Sequence, residues 1–443
     1  MSKKLQKESV FTKLTYVFIA LMLTVFLFWA DSTGYTRITE AKLPVFRALC
    51  GGYVIAVIVL VPSCLLTGLI KSADVKRFFT ESTLSQKLAA VFMLLTLVSG
   101  IFSQYGGRTW QGVSRYEGSE TICIYCLCFI FVSSFGRVRG WMKYLFGASV
   151  LLLSVLSILQ LAGLNPFGLY PDGMNYYGSG TDYNGTYLAT IGNTDLLSAF
   201  LCIAVPVLWV SVLRSKDKFR YLLLIPLLVA LYVLIRMDVS AGILGVFGGA
   251  VLSLPMTLKI SDKSAKLIAI IIVALIILAL LFVFLADTGI PILHEAHELL
   301  HGRADDSFGT GRIYIWKNVL RKVPDHLLFG AGPDTMSLSG IEPFTRYDPV
   351  KNVNIVSEID TAHNEYLNIM YHQGILALTA YLAMLAALAV RWIKKARGNT
   401  ACAVLGCAAL CYCIQAFFGI SMFLTAPFFW ITLGLLDASC RES

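Results

Sequence analysis

The chain has 443 residues, of which 57% are hydrophobic and only 14% are Asp, Glu, Lys or Arg. Soluble globular proteins carry roughly 25% charged residues, so the composition excludes an ordinary soluble domain. The net charge of +9 comes mostly from basic residues beside apolar stretches. Basic residues in such places face anionic lipid, so we expect no nucleic-acid partner.

Apolar stretches recur along nearly the whole chain. They are 15–30, 46–70, 86–104, 119–135, 141–163, 196–213, 219–236, 239–258, 265–286, 372–392, 400–417 and 419–437. A membrane-spanning helix needs about 20 predominantly apolar residues, so we predict an all-α integral membrane protein of about 12 transmembrane helices. Helices one to nine would occupy residues 1–286, and helices ten to twelve residues 372–443.

The placement of Lys and Arg predicts the orientation of the chain. Most of the 36 basic residues fall beside ends of the predicted spans that share one side of the membrane. Short cytoplasmic loops carry such an excess. We therefore expect a multi-pass protein of the cytoplasmic (inner) membrane with both termini in the cytoplasm. Residues 287–371 then form a large extracytoplasmic loop.

This loop is the only long polar segment of the sequence. All six histidines of the chain lie between Asp287 and His372. Loops of this length are uncommon unless they have a function. The other residues that draw attention here are Gly311, Arg312, Trp316, residues 330–333, Asp360, His363 and Asn364.

The predicted topology places Arg108, Arg115, Arg236 and Arg312 on the outer side, against the positive-inside trend. A guanidinium matches phosphate oxygens with a planar fork of donors and keeps its proton, so these residues are candidate phosphate ligands. The other interpretation is a charge that extends to lipid headgroups or pairs with an acidic residue of the loop. The phosphate interpretation is favoured most for Arg312.

His363 lies at the start of the predicted tenth span. An imidazole near Asp360 and Glu358 suits a general base, since a carboxylate orients the ring and stabilises its charged form. If a helix already includes His363, then Leu367 and Met370 share its face and turn it into the bundle. The alternative is a helix-capping region whose histidine only faces headgroups.

The sequence His297-Glu298-Leu299-Leu300-His301 matches the zinc-protease pattern H-E-x-x-H. Two histidines spaced by four on a helix can bind zinc, with the glutamate as base. A catalytic zinc also needs a third protein ligand, and no recognisable motif supplies one. We favour an amphipathic helix at the membrane surface and keep a membrane metalloprotease as a third possibility.

In order and spacing, these motifs resemble the signature region of the bacterial O-antigen ligase and O-antigen polymerase superfamily. That region has Gly-Arg, a Trp four residues on, a Phe-Gly-x-Gly turn, and His-Asn-x-x-Leu leading into a span. The corresponding residues are Gly311-Arg312, Trp316, Phe329-Gly330-Ala331-Gly332 and His363-Asn364-Glu365-Tyr366-Leu367. Earlier, Arg115-Tyr116-Glu117-Gly118 resembles the Arg-x-x-Gly that precedes the fourth span in many members.

Two departures from the family pattern stand out. Ser240-Ala241-Gly242 occupies the place of a usual Ser-Arg-Gly. Arg236 lies one helical turn earlier if the helix continues, where it would replace the missing arginine. Asn193-Thr194-Asp195 also replaces the usual Asn-Pro-Asn.

The resemblance implies a GT-C-like membrane enzyme that performs inverting, metal-independent glycosyl transfer without a cofactor. The donor would be an undecaprenyl-diphosphate-linked glycan, and the acceptor a glycan, a lipid or a wall polymer at the outer face of the membrane. His363 would be the general base, and Arg312 a catalytic residue that binds the donor diphosphate. The implied further diphosphate ligands are Arg115 and Arg236, and the implied supporting residues are Asn364, Asp360, Trp316 and Gly311.

Within the family, a polymerase and a ligase share the donor chemistry, so the sequence leaves the choice open. The main alternative is a transporter or flippase for lipid-linked glycans. Such a protein is expected to have ionisable residues at mid-membrane depth and paired broken helices in two repeats. The apolar spans of this chain carry few charges and show no repeat, which favours an enzyme of the membrane surface.

Overall fold

The computed structural model of the chain describes residues 9–170, 187–348 and 353–441. It is mostly helical, and we number the helices α1 to α17. The first nine are α1 Val10–Leu21, α2 Ile38–Phe46, α3 Gly52–Leu66, α4 Ser72–Thr80, α5 Leu84–Phe102, α6 Arg108–Gln111, α7 Ser119–Phe135, α8 Gly140–Leu161 and α9 Thr194–Arg214. The others are α10 Leu224–Arg236, α11 Ser240–Thr257, α12 Asp262–Leu285, α13 Pro291–Leu300, α14 Phe308–Lys322, α15 Glu365–Lys395, α16 Thr400–Ala416 and α17 Ala426–Arg441.

Two short antiparallel strand pairs add to the predicted all-α architecture. Strand β1, Tyr187–Leu188, pairs with β2, Gly192–Asn193. Strand β3, Phe344–Asp348, pairs with β4, Val353–Ser357. The second pair lies in the polar segment between α12 and α15, which also contains α13 and α14. This segment is therefore largely structured.

Eight helical stretches in the described part of the chain are long and apolar enough to cross a membrane. They are Ile38–Leu66, Leu84–Phe102, Gly140–Leu161, Thr194–Arg214, Lys218–Arg236, Ser240–Thr257, Asp262–Leu285 and Glu365–Lys395. Val10–Phe26, Ser119–Phe135 and Thr400–Ala416 are shorter apolar helices. The architecture is that of a helical membrane protein. Each of the twelve predicted spans overlaps a helix, while the number twelve stays a prediction.

The helices pack into one bundle. Helix α5 lies against α15, α7 against α17, and α16 against both α9 and α11. Helix α12 instead packs mainly against α11 and α13, and most of its apolar residues, such as Ile270 and Leu275, are exposed. An exposed apolar helix is expected where the surroundings are lipid rather than water.

Asparagine caps set the starts of two helices that lead away from the same end of the bundle. The Asn193 side chain accepts hydrogen bonds from Asp195 N at 2.8 Å and Leu196 N at 3.4 Å, at the start of α9. The Asn364 side chain accepts one from Leu367 N at 3.0 Å, at the start of α15. Asparagine is among the preferred N-cap residues because its oxygen satisfies backbone N–H groups that the first turn leaves free.

The bundle has two ends that differ in chemistry. We call the end where α7, α9 and α15 begin the His363 end. Helix α15 begins at Glu365, earlier than the predicted start of the tenth span, and breaks at Gly374, where φ is 84°. At the opposite end, α7, α9 and α15 finish, and α8 and α16 begin.

Candidate active site

Arg115 lies between α6 and α7, and two carboxylates hold it in place. Its Nε and Nη2 atoms donate to the two carboxylate oxygens of Asp360, each at 2.9 Å. Its backbone N donates to Oδ2 of Asp334 at 2.8 Å. A two-pronged pair fixes the orientation of the guanidinium as well as its position. The structure therefore brings two of the predicted site residues into direct contact.

Asp334, which the sequence analysis did not single out, organises the segment that carries Arg115. Its carboxylate accepts from Ser114 N at 3.1 Å and Ser114 Oγ at 2.9 Å, and its backbone oxygen accepts from Val113 N at 3.1 Å. A Cβ on Gly112, where φ is 91°, would lie 2.3 Å from Asp334 Oδ2. The sequence signals only a turn at this place, since aspartate after Gly332-Pro333 is typical of one.

His363 immediately precedes the cap of α15 and has a left-handed backbone, with φ 46°. Its Nδ1 atom is buried and has no hydrogen-bond partner within the described residues. Burial and the charges of Arg115 and Arg312 lower the pKa of His363 to about 4, against the opposing effect of Asp360. The ring is therefore neutral near pH 7.

The surroundings of His363 differ from the sequence-based expectations in two ways. Carboxylates were expected to stabilise its charged form, but burial and two guanidiniums outweigh Asp360. A helix face shared with Leu367 and Met370 required a helix that includes His363, but the residue stands before the first turn of α15. Asn364 caps that helix, so its side-chain oxygen is occupied by the backbone rather than by the imidazole.

Arg312 follows three residues with left-handed backbones. Gly309, Thr310 and Gly311 have φ values of 60°, 60° and 88°, so the regular part of α14 begins at Arg312. The guanidinium donates from Nη1 to Gly309 O at 2.8 Å and to Thr310 Oγ1 at 3.0 Å, and from Nε to Phe418 O at 3.2 Å. These oxygens are neutral, so they position the group without cancelling its charge.

Gly311 and Trp316 explain why α14 sits where it does. A Cβ on Gly311 would lie 2.5 Å from the Phe344 ring, so only glycine allows this approach. Trp316 donates from Nε1 to Ala362 O at 2.9 Å, and its ring packs against Phe417. Because Ala362 precedes His363, Trp316 ties the arginine-bearing helix to the candidate base.

Asp195, at the start of α9, is a further acidic residue of this end. The charges of Arg312 and Arg115 both act on its carboxylate. It stands where the family pattern has a second asparagine, so sequence reasoning met it only as a departure. The structure makes it a member of the same charged group as the two arginines.

The glycine-rich turn at 330–333 packs into the break of α15. Gly332 N donates to His372 O at 2.9 Å, an acceptor that the break at Gly374 leaves without its helical partner. A Cβ on Gly330 would lie 2.3 Å from the backbone of His372. The turn therefore locks α15 in its broken form.

A small polar cavity of about 60 Å³ lies behind the Arg115–Asp360 pair, and Glu117, Asp334 and His372 line it. Small-molecule sites have roughly 300–1,000 Å³, so this cavity has room for water but not for sugar. Glu117 accepts from Tyr125 Oη at 2.8 Å and from the backbone N of Phe423 at 2.6 Å. Burial raises the pKa of the Glu117 carboxyl well above its usual range.

Arg236 is exposed at the end of α10. The helix does not continue into α11, since Asp238 has φ 52° and α11 begins at Ser240. Arg236 is therefore not one turn before Ala241 on the same helix. The guanidiniums that act on His363 and Asp195 are Arg115 and Arg312, and a role of Arg236 toward the donor stays a prediction.

The H-E-x-x-H pattern lies on α13 and its end. His297 Nδ1 is 2.8 Å from Val283 O, and His301 Nδ1 is 2.8 Å from His297 O. Glu298 accepts two hydrogen bonds from Arg303 at 2.9 and 2.6 Å. Over residues 9–170, 187–348 and 353–441, no three His, Cys, Asp or Glu side chains are grouped to hold a metal. The geometry gives the protease interpretation no support.

Together, the apolar helices and the arginines beside a neutral histidine define a multi-pass membrane protein with a polar site at one end of its bundle. Residues 225–382 match the family model described as O-antigen ligase. The match confirms the resemblance to the O-antigen ligase and polymerase superfamily over these residues, which are fewer than half of the chain. It indicates a glycosyltransferase-type membrane enzyme at family level. No curated protein matches the chain.

The matched residues include Arg312, Trp316 and His363. Arg115 and Asp195 lie outside them, and the structure adds these two to the site through their interactions with the matched part.

Proposed function

We propose that this protein is an inverting, metal-independent glycosyltransferase. It moves glycan from an undecaprenyl-diphosphate-linked donor to a hydroxyl acceptor at the outer face of the cytoplasmic membrane. The observation that carries the proposal is that Arg115 and Arg312 both act on a partly buried, neutral His363 at one end of the bundle. The family match supports the same reaction class.

The donor half of the reaction needs cations. As the bond between the sugar and the diphosphate breaks, its electrons leave with the diphosphate. Fixed cations in a water-poor site stabilise such developing charge best. Arg312 suits this role because neutral oxygens hold its guanidinium, which leaves its charge for the diphosphate. Arg115 is already paired with Asp360, so it contributes less charge and a more rigid position.

The acceptor half needs a base. The acceptor hydroxyl attacks the anomeric carbon from the face opposite the diphosphate, and one ring nitrogen of His363 takes the hydroxyl proton. The Nδ1 atom is without a protein partner among the described residues, and a neutral imidazole is the form that can accept a proton.

The two halves are coupled through charge. With no donor bound, Arg115 and Arg312 oppose protonation of His363, which makes it a weak base. A bound diphosphate brings negative charge that offsets both guanidiniums, and the pKa of His363 rises. The base therefore gains strength when the donor is in place, which limits wasteful transfer to water.

The acceptor class stays open between a polymerase and a ligase. A polymerase would use the end of another lipid-linked glycan, and a ligase a lipid or wall-polymer hydroxyl. The residues described above all serve the donor and the proton, so they fit both activities.

The test uses the full chain in detergent with a lipid-diphosphate-linked oligosaccharide, assayed in EDTA. Native protein is compared with His363→Ala and Arg312→Ala. Matched controls are His294→Ala, an exposed histidine of α13, and Arg321→Ala, an exposed arginine of α14. We expect both site variants to lose about 100-fold or more in transfer, as positioned acid–base and charge-stabilising groups do, while the controls keep native rates.

Three outcomes count against the proposal. Loss of native activity in EDTA would contradict a metal-independent reaction. Full activity in both site variants would refute these residue roles. Movement of intact lipid-linked glycan across a bilayer, with no transfer to any acceptor, would favour a transporter.

A further inference from the structure

Two cysteines from different helices meet at the end of the bundle opposite His363. The Sγ atoms of Cys402, near the start of α16, and Cys440, near the end of α17, lie 3.3 Å apart, although 38 positions separate the two residues in the sequence. Sulfur atoms in contact on facing helices need only small side-chain rotations to reach bonding distance. The glycosyl transfer proposed above uses neither thiol.

Asn399 holds the backbones that carry these two thiols. Its Oδ1 atom accepts from Cys402 N at 3.2 Å, and its Nδ2 atom donates to Ser439 O at 3.1 Å. One side chain therefore caps α16 and joins it to the residue that precedes Cys440. The two helices also pack against each other. The sulfurs are thus brought together by a fixed junction of two helices.

Cys440 is the more reactive member of the pair, and it follows the predicted last span, 419–437. The hydrogen bond from the Cys402 thiol is the main cause that lowers the pKa of the Cys440 thiol. Burial opposes this shift, and the charges of Arg391 and Lys395 add to it. The thiolate is the nucleophilic form of cysteine, so Cys440 is the thiol that an oxidant meets first.

Burial restricts which oxidants can reach the pair. The exposed fractions of Cys402 and Cys440 are 0% and 6%, so bulky reagents are excluded in the folded protein. Cys440 lies in the last turn of α17, one residue before the exposed end of that helix. Helix ends open locally more easily than helix centres. A small, uncharged oxidant such as hydrogen peroxide can therefore enter from this end.

We propose that Cys402 and Cys440 are a redox-sensitive pair, which a peroxide converts to a disulfide and a thiol reductant restores. The Cys440 thiolate attacks one peroxide oxygen and the O–O bond breaks, which gives a sulfenic acid and a hydroxide that takes up the proton released by the thiol. The Cys402 sulfur then attacks the Cys440 sulfur and displaces its oxygen as water. In total, two thiols lose two protons and two electrons, and one peroxide becomes two waters.

The disulfide closes the base of the helical hairpin formed by α16 and α17. The tip of this hairpin lies at the His363 end, where Phe418 O accepts from Arg312 Nε at 3.2 Å. A cross-link between the two helices restricts the unfolded chain and so stabilises the folded protein. Cytosolic disulfides are usually transient and redox-sensing, which fits a pair at the predicted cytoplasmic end. This inference does not depend on the proposed glycosyl transfer.

The test treats the purified full chain in detergent with hydrogen peroxide, alkylates the remaining thiols after unfolding, and maps the digest by mass spectrometry. We expect a peptide that joins Cys402 to Cys440, lighter than its two parts by two hydrogen atoms and lost on addition of dithiothreitol. Cys402→Ser should leave Cys440 as a sulfenic acid that dimedone traps. The matched control is Cys407→Ser, a buried cysteine of α16 whose sulfur contacts Ser253 Oγ at 3.0 Å, and it should cross-link like the native protein.

A thermal scan measures what the cross-link does to the fold. Peroxide should raise the unfolding temperature of the native protein and of Cys407→Ser by about 5 °C. It should leave the unfolding temperature of Cys402→Ser unchanged. Scans of the untreated variants separate the effect of each substitution from the effect of oxidation.

Absence of the cross-link between Cys402 and Cys440 after peroxide treatment, whether or not other thiols react, would overturn the proposed pair. Oxidation that concentrates at the half-buried Cys123 and Cys413 would show that exposure alone governs reactivity, which also contradicts it. A cross-link that forms without raising the unfolding temperature would refute the constraint on α16 and α17.

Discussion

Arg115 and Asp360 stand 245 positions apart in the sequence and meet in a two-pronged ion pair. The pair joins the segment before α7 to the segment before α15, and it lies beside His363. The two charges act on His363 in opposite directions, since Arg115 lowers its pKa and Asp360 raises it. The pair therefore fixes the position of the site and adjusts the strength of its base, which burial of the ring lowers most.

Changing Arg115 and changing Asp360 should shift the pH dependence of glycan transfer in opposite directions. Arg115→Gln removes a charge that opposes protonation, so the pKa of His363 rises from about 4 and the acidic limb of kcat/KM moves to higher pH. Asp360→Asn removes a charge that favours protonation, so the limb moves to lower pH. The measurement is kcat/KM against pH for the three proteins, because this ratio reports groups of the free enzyme.

Lys317→Gln is the matched control for this comparison, because Lys317 pairs with Asp306 at an exposed position of α14. Its pH profile should coincide with that of the native protein. Shifts of the same sign in Arg115→Gln and Asp360→Asn would contradict the assignment of the acidic limb to His363.

The lowered pKa of His363 also predicts a pH-dependent stability. The unfolded chain binds a proton at His363 below its ordinary pKa of roughly 6.5, whereas the folded protein does so only below about 4. Between these values the unfolded state holds more protons, so the free energy of unfolding falls as the pH falls. Neutral His363 therefore contributes its full share to the free energy of unfolding above pH 6.5 and none below pH 4. This share is at most about 3 kcal/mol.

The measurement is denaturant unfolding in micelles at several pH values for the native protein and His363→Gln. Glutamine carries no proton in this range, so the difference between the two proteins should shrink or reverse in favour of the variant toward pH 4. A constant difference from pH 7 to pH 4 is the result that would count against a buried neutral histidine.

Gly330 and Gly340 allow a steric contact to be separated from backbone strain. Both have positive φ, 75° and 67°. A Cβ at Gly330 would lie 2.3 Å from the backbone of His372, whereas a Cβ at Gly340 meets nothing within 4 Å. Gly340→Ala should cost only the left-handed backbone, about 1–2 kcal/mol. Gly330→Ala should cost clearly more and also reduce transfer, because it pushes the turn out of the break in α15.

Thermal unfolding and transfer rates of the two alanine variants test this prediction. Equal losses of stability in both would mean that the turn does not pack into α15 as described.

The sequence predicts helical spans well because each span is a local property of about 20 apolar residues. It also singled out Arg312, Trp316 and His363, whose order and spacing carry the family pattern and whose roles stay predictions. It missed Asp334, whose importance comes from accepting hydrogen bonds across 220 positions, a relation that no local pattern encodes. The sign of the pKa shift at His363 was likewise out of reach, because it depends first on the burial of the ring and then on how far Arg115, Arg312 and Asp360 lie from it.

Asp437 lies at the end of the bundle opposite His363, and a change of this residue should affect folding stability. Its carboxylate is fully buried and accepts from Ser133 Oγ at 2.5 Å and from Thr83 Oγ1 at 3.2 Å. It also pairs with Arg391, so it joins α5, α7, α15 and α17. Removing Asp437 leaves the charge of Arg391 uncompensated, and because Arg391 is 28% exposed, Asp437→Ala should cost about 3 kcal/mol of folding stability, the lower end for buried pairs.

The matched control is Asp262→Ala, because Asp262 pairs with Arg397 at the same end but is 84% exposed. An exposed pair contributes less than about 1 kcal/mol, so this variant should unfold almost like the native protein. At temperatures where Asp437→Ala remains folded, its pH profile of transfer should match the native one, since the His363 end is untouched. A displaced acidic limb in Asp437→Ala would instead show that the two ends of the bundle are coupled through α15 and would contradict a purely structural role of Asp437.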